Sequence, residues 1–155
     1  MAKIHHFENF SIVRGDVTIR LNLDRFSDQY NRAQFELDSM VMTSMIPYMP
    51  FNSGMFIDQT RAKSAAMAGS GKVCGGISPY GRFLYEGKTM VDEVTGSPWA
   101  RAGAKKVLVS QYSGKTNARE NLTYSNGRQS HWFEAAEKAD KQNWIKTTKE
   151  IAGGG

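Results

Sequence analysis

The chain has 155 residues, of which 40% are apolar and 23% charged, and this composition is typical of one folded domain with a single core. The net charge is +5, but the lysines and arginines are spread along the chain, so no basic tail is indicated. No apolar stretch approaches 18 residues, which argues against a transmembrane helix. The single cysteine, Cys74, excludes a disulfide framework within the chain.

The first predicted elements are a strand and a long helix. Apolar residues at 17, 19, 21 and 23 alternate with polar ones, which predicts a strand with one buried face, and Gly15-Asp16 indicates a hairpin turn or a bulge before it. Asp24 is a predicted N-cap, and an apolar stripe at helical spacing then predicts one helix over residues 25–46. Pro47 and Pro50 end this helix.

The middle of the chain gives weaker patterns. Residues 57–68 are compatible with a strand or with a short helix over 61–68, and the sequence leaves both open. Residues 72–77 predict a strand weakened by glycines, and residues 78–85 predict a short helical or turn segment that ends at Gly87.

Residues 88–128 are rich in glycine and polar side chains, and only 106–112 predict a strand. An irregular segment of this length is usually functional or disordered, so we expect an extended arm here. A last helix is predicted from Ser130 to about Lys149, with a flexible tail at 151–155. The element order predicts a single α+β domain over 1–150, with a long N-terminal helix and a C-terminal helix packed on one face of a small, mainly antiparallel sheet.

The sequence offers no complete motif for catalysis or for a cofactor. The segment 69–73, GSGKV, resembles a phosphate-binding loop but lacks its first glycine and the hydroxyl residue after the lysine. His5, His6 and His131 do not have the spacing of zinc ligands. Asp92 and Glu93 are adjacent carboxylates with no histidine near them in sequence. We therefore expect no catalytic residue, no metal site, no cofactor and no enzymatic activity.

One cluster keeps a second function open. Aromatic and basic residues alternate between Tyr80 and Tyr85, and such a cluster stacks on nucleic-acid bases in some proteins. Together with a pI of about 9.4, it supports a nucleic-acid-binding accessory module as the alternative function. Core packing or a subunit contact is the more common use of such a cluster.

Three segments together resemble a known family. They are PFNSGM at 50–55, PYGRFLYEG at 79–87 with its continuation KTMVD and TGSPWA up to residue 100, and HWFEAA at 131–136. In this order and spacing, over residues 15–149, they resemble the minor capsid proteins of tailed bacteriophages, a family of head–tail joining, or neck and tail-completion, proteins. Gly81 stands where that family usually has alanine.

The resemblance implies a structural subunit of the virion neck that is assembled in the bacterial cytoplasm. It implies a homo-oligomeric ring, most commonly six-fold, at the tail-completion or tail-terminator level. Such a ring joins the DNA-filled head to the tail, contacts connector or stopper and tail-tube proteins, and surrounds a channel through which double-stranded DNA passes without sequence-specific binding.

In such a ring subunit, residues 88–128 are expected to contact neighbouring subunits through aromatic anchors. The predicted interface residues combine these anchors with the turn and motif positions of the resemblance. They are Pro50, Asn52, Gly54, Tyr80, Tyr85, Gly87, Met90, Trp99, Tyr112 and Tyr124.

Overall fold

The structure is a computed structural model and describes residues 7–99 and 101–153. It contains the strands β1 (Phe10–Arg14), β2 (Val17–Leu21), β3 (Met90–Asp92) and β4 (Lys106–Leu108), and the helices α1 (Asp24–Met45), α2 (Met55–Met67), α3 (Gly81–Glu86) and α4 (Trp132–Ile151). Short 3₁₀ turns occupy Ile46–Tyr48 and Val109–Gln111. The predicted α+β class, with its long N-terminal and C-terminal helices, is confirmed. The strands form two separate antiparallel pairs, β1–β2 and β3–β4.

The core lies where α1 and α4 pack against each other. The helices are antiparallel, since Trp144 of α4 donates a hydrogen bond to Ser44 at 3.1 Å whereas Gly153 lies beside Gln29, near the start of α1. Aromatic, methionine and aliphatic side chains fill the space between them and α2. The buried members are Val41, Met42, Met45, Met49, Ile57, Trp132, Ala136 and Trp144.

The β1–β2 pair is a hairpin, as the Gly15-Asp16 turn predicted. Gly15 adopts a φ of +60°, which favours glycine at this position of a tight turn. The predicted alternation is present, but the predicted burial is wrong, because every residue of both strands is exposed. Period-2 alternation shows that a strand has an apolar face, and no other element of the described chain covers this one.

Two further local predictions need correction, and one open choice is settled. Asp24 is the first residue of α1 and provides no side-chain cap; its own N–H donates to Asn22 Oδ1 at 3.0 Å. The open choice at 57–68 is settled in favour of a helix, α2, which begins at Met55. Residues 72–77 form no strand, because Cys74 N–H is bound by the Ser64 hydroxyl at 2.8 Å instead of by a neighbouring strand.

Residues 88–128 form a folded loop rather than a free arm. The two ends are joined by backbone hydrogen bonds from Thr89 to Glu120 at 2.9 Å and from Leu122 to Gly87 at 2.8 Å. The β3–β4 pair organises the middle, and Gln129 then bonds back to Tyr48. The part that projects is the turn that carries Trp99, whose side chain is 88% exposed.

The start of α3 lies directly against the backbone of Gly76. A Cβ added at Gly81 would lie 2.7 Å from the Gly76 carbonyl carbon, whereas a Cβ at Gly75 would meet no atom within 4 Å. We therefore expect Gly81→Ala to lower the free energy of unfolding by about 1–3 kcal/mol, the usual cost of overpacking. Gly75→Ala is the matched control and is expected to change it by less than about 0.5 kcal/mol. Urea denaturation of both variants measures the difference, and equal stabilities would contradict this close approach.

Candidate functional site

Two of the three motifs of the resemblance meet around one tryptophan, and Phe56, the residue that follows the first motif, packs there as well. Trp132, at the start of α4, is fully buried, and its ring makes edge contacts with Phe56 at 6.1 Å and with Tyr85 at 4.8 Å between centroids. Its indole N–H donates to Gly75 O at 2.9 Å. Motif residues that are distant in sequence therefore share one structural centre.

Tyr85 packs in this centre and also lines an open groove along α1 and α4. Its hydroxyl donates a hydrogen bond to Glu134. Burial and this bond to a carboxylate raise the pKa of Tyr85 well above its usual value, and the same bond lowers the pKa of Glu134. His131 packs against the Tyr85 ring at 5.1 Å. The Tyr80–Tyr85 cluster is thus divided, since Tyr80 is 56% exposed whereas Tyr85 is engaged in the body of the protein.

Four other predicted interface residues shape turns. Gly54 precedes α2 with a φ of +84°, and Gly87 ends α3 with a φ of +70° and is buried beside Ser130. Pro50 is half-buried and Asn52 is exposed in the turn between α1 and α2. The glycines have backbone roles that explain their presence without any partner.

Tyr112 and Tyr124 make contacts within their own chain. The Tyr112 hydroxyl donates to Val94 O at 3.2 Å, and its ring lies so close to Gly96 that a Cβ there would be 2.5 Å from Cε1. The Tyr124 hydroxyl donates to Leu84 O. Both residues fasten the 88–128 loop, and both are half-buried in the single chain.

Asp92 holds the turn that presents Trp99. It is buried, accepts backbone N–H bonds from Val94 at 2.8 Å and Thr95 at 3.1 Å, and forms an ion pair with Arg101 at 3.1 Å. These bonds, that from Arg101 above all, lower the pKa of Asp92 well below its usual range. The stabilisation is fully present above the unfolded pKa of about 3.9. It is lost as the pH falls through the lower folded pKa.

Asp92→Asn keeps the shape of this side chain and removes its charge. We expect amide hydrogen exchange at Val94 and Thr95 to become about tenfold faster at neutral pH, because the charge-assisted bonds that close the turn are weakened. NMR-detected exchange measures this effect. Glu93→Gln is the control, since Glu93 is an exposed neighbouring carboxylate. Unchanged exchange in Asp92→Asn would show that the Asp92 charge does not hold the turn.

The first large unpartnered surface is the apolar hairpin face. The β1–β2 register places Phe10 opposite Leu21 and Ile12 opposite Ile19 on one side, with Val17 opposite Arg14 beside the turn. Exposed fractions on this face run from 44% for Ile12 to 61% for Val17. The other side carries Ser11, Val13, Thr18 and Arg20. The hairpin is therefore amphipathic, and none of the described elements covers its apolar side.

The base of the hairpin is fixed to the first turn of α1. Asn9 accepts from Leu23 N–H at 2.7 Å and donates to Asp24 at 3.1 Å. Phe7 exchanges two hydrogen bonds of 3.2 Å with the Ser27 side chain and packs against Tyr30 at 5.2 Å. Beyond this anchored base, both strands project from the body.

The second candidate surface is the α1–α4 groove, an open and mostly apolar depression of about 820 Å³ between the two helices. It extends along α1 from Tyr30 to Met45 and is bordered by the loop at 71–75. Ile145 of α4 lines it and is 39% exposed. Charged groups lie at its edges, where Glu137 pairs with Lys141 at 2.7 Å.

The phosphate-loop resemblance at 69–73 has a structural explanation. Asp38 of α1 is buried, and one of its oxygens accepts the N–H groups of Gly69 at 2.8 Å and Gly71 at 3.1 Å. A carboxylate of the chain itself thus occupies the donors that a phosphate needs. These bonds also hold the loop at the edge of the α1–α4 groove.

A basic cleft of about 580 Å³ lies between α3 and β4. Four cations line it, together with the half-buried predicted interface residue Met90 and the carboxylate of Glu86. The cations are Arg82, Lys88, Lys105 and Lys106.

Within residues 7–99 and 101–153, no cluster of three or more potential metal ligands is present. His5 and His6 lie outside the described residues, as do Ala100 and the last two residues of the predicted tail. No helix in the described part combines the length and hydropathy that crossing a bilayer requires.

Comparisons with protein-family profiles, with curated protein sequences and with solved structures found no match for this chain.

Proposed function

We propose that this protein is a structural subunit of a bacteriophage head–tail connector, a neck ring at the tail-completion or tail-terminator level that surrounds the DNA channel. The proposal rests on one observation, that a small body carries two separate apolar surfaces, the apolar hairpin face and the α1–α4 groove. Exposed apolar patches of this kind mark interaction sites.

The subunit of a ring needs two different contact surfaces. Each copy contacts one neighbour through one surface and the other neighbour through a different surface, since ring contacts are head-to-tail. This protein has two such surfaces, the projecting apolar hairpin face and the recessed α1–α4 groove.

Deleting the gene from the phage that carries it tests the proposal. Electron microscopy of the lysate is expected to show DNA-filled heads and separate tails that do not join, and plasmid-borne protein is expected to restore joined virions. Normal virions without the protein would overturn the proposal. Antibody labelling of wild-type particles provides a second test, with label expected at the neck.

The basic cleft favours a second candidate, a nucleic-acid-binding accessory module. Arg82 and Lys105 can contact phosphates, whereas Lys88 binds Asn121 and Lys106 binds the Pro98 carbonyl. The exposed Tyr80 lies two residues before Arg82. If the protein has this function, fluorescence anisotropy is expected to show an affinity for duplex DNA that falls steeply as the salt concentration rises. Arg82→Gln with Lys105→Gln then reduces the slope of log K against log salt by roughly 2, about 0.9 for each lost phosphate contact. An unchanged slope in this variant contradicts the candidate.

A further inference from the structure

We infer that the apolar hairpin face of one copy docks into the α1–α4 groove of the next copy, as the repeating contact of the assembly. The inference rests on the proposed function in that it takes the partner to be another subunit of the same ring. It names the two surfaces that meet and the chemistry of the contact, apolar side chains enclosed by two helices.

The apolar hairpin face is stabilised when a partner surface removes it from water. A two-stranded hairpin is marginally stable in water by itself, and this one exposes five apolar side chains on one face. Their removal from water is favourable in proportion to the area that is buried. Four hydrogen bonds fix Phe7 and Asn9 to the start of α1 and hold the base of the hairpin in place. The strands project beyond this base, so the apolar face is exposed.

The groove has the dimensions of this occupant. Between Tyr30 and Met45 the groove follows α1 for about 22 Å at the helical rise of 1.5 Å per residue. A five-residue strand is about 17 Å long. The hairpin therefore fits lengthwise, with side chains such as Ile12 and Ile19 directed at the exposed part of Ile145.

The size of the contact favours a ring over a free dimer. The groove is lined by 18 residues and β1 and β2 contribute five residues each, whereas a stable interface uses roughly 20–30 residues from each partner. A single hairpin–groove contact is therefore weak. A closed ring of n copies forms n such contacts and leaves no hairpin or groove free. The closed ring is therefore more stable than a dimer, which forms one contact.

Crosslinking between two different full-length chains tests the inference. In a Cys74→Ser background, one chain carries Ile12→Cys in the hairpin and the other carries Ile145→Cys in the groove, and a short bis-maleimide is added to the mixture. We expect a heterodimer on a denaturing gel, formed at least about tenfold faster than with the control, because docking raises the effective concentration of the two thiols. The control is Val13→Cys, which is 66% exposed but lies on the opposite side of the hairpin.

Each competing occupant gives a different product. Hairpins that pair with each other crosslink the Ile12→Cys chain to itself and not to the groove chain, and this result overturns the inference. A chain with both cysteines is expected to give a ladder of multimers; an internally crosslinked monomer as its sole product would show that the hairpin closes on its own groove. Absence of any product at high micromolar concentration also overturns it. Because this assay uses purified protein, it separates failure of the docking from failure of the neck assignment, which the gene deletion measures.

Discussion

Replacing Trp132 with alanine is expected to lower the free energy of unfolding by about 3–5 kcal/mol, the range for removal of a large aromatic side chain from a core. Trp132 is fully buried, packs against Phe56 and Tyr85, and donates its indole N–H to Gly75 O. The substitution leaves a cavity and also deprives that carbonyl of its partner, which adds to the cost. Urea denaturation followed by far-UV circular dichroism measures the change.

Trp99→Ala is the matched control, because it removes the same side chain from a position that is 88% exposed. Its expected effect on the free energy of unfolding is within about 0.5 kcal/mol. Similar losses for both tryptophans would contradict the burial of Trp132 against Phe56 and Tyr85. A third variant, Trp132→Phe, is expected to recover part of the loss, since it fills most of the cavity but has no N–H donor.

The sequence predicted the long helices because their patterns are local. The apolar stripe that predicts α1 and the spacing of aromatic and alanine residues that predicts α4 depend only on residues three or four apart. Both helices have boundaries within about two residues of those expected, the usual precision at helix ends. Ile151, placed in the tail by the sequence, is the last residue of α4.

The rest of the fold depends on contacts between distant residues. Asp38 binds the amides of Gly69 and Gly71 across more than thirty positions, and no periodicity indicates such a bond. The tyrosine at 112 fits against Gly96 and Gly114, so a residue that suggested an intermolecular anchor is used within the loop. Aromatic side chains in a glycine-rich segment predict an anchoring contact. They do not tell whether this contact is made within the same chain or with a neighbouring chain.

The candidate surfaces were only partly accessible from the sequence. Trp99 and Tyr80 are predicted interface residues and are exposed, whereas the sequence predicts neither the exposed apolar hairpin face nor the groove. The alternation of Val17, Ile19 and Leu21 predicts an apolar face, but it does not tell whether another element of the chain covers that face. The groove arises from the packing of α1 and α4, which pattern analysis of each helix does not provide.

Under the proposed neck function, a phage that carries Ile12→Glu together with Ile19→Glu is expected to lose at least about 100-fold in titre, because two carboxylates then oppose every contact between subunits. The two residues are direct partners on the apolar hairpin face and are 44% and 51% exposed. Burying two unpaired carboxylates in an apolar groove is strongly unfavourable, and every contact around the ring carries the same penalty. Plaque counts give the titre, and electron microscopy is expected to show heads and tails that have not joined.

The loss of titre reports on assembly only if the double variant still folds. Because both side chains already face solvent, the purified double variant is expected to unfold within a few degrees of the unchanged protein in a thermal scan. Val13→Glu with Thr18→Glu places the same charges on the cross-strand pair of the opposite face and is expected to retain titre. If both double variants lose titre equally, the hairpin acts through something other than its apolar face. If neither does, the projecting hairpin is not a contact between subunits, and the neck proposal loses one of the two surfaces on which it rests.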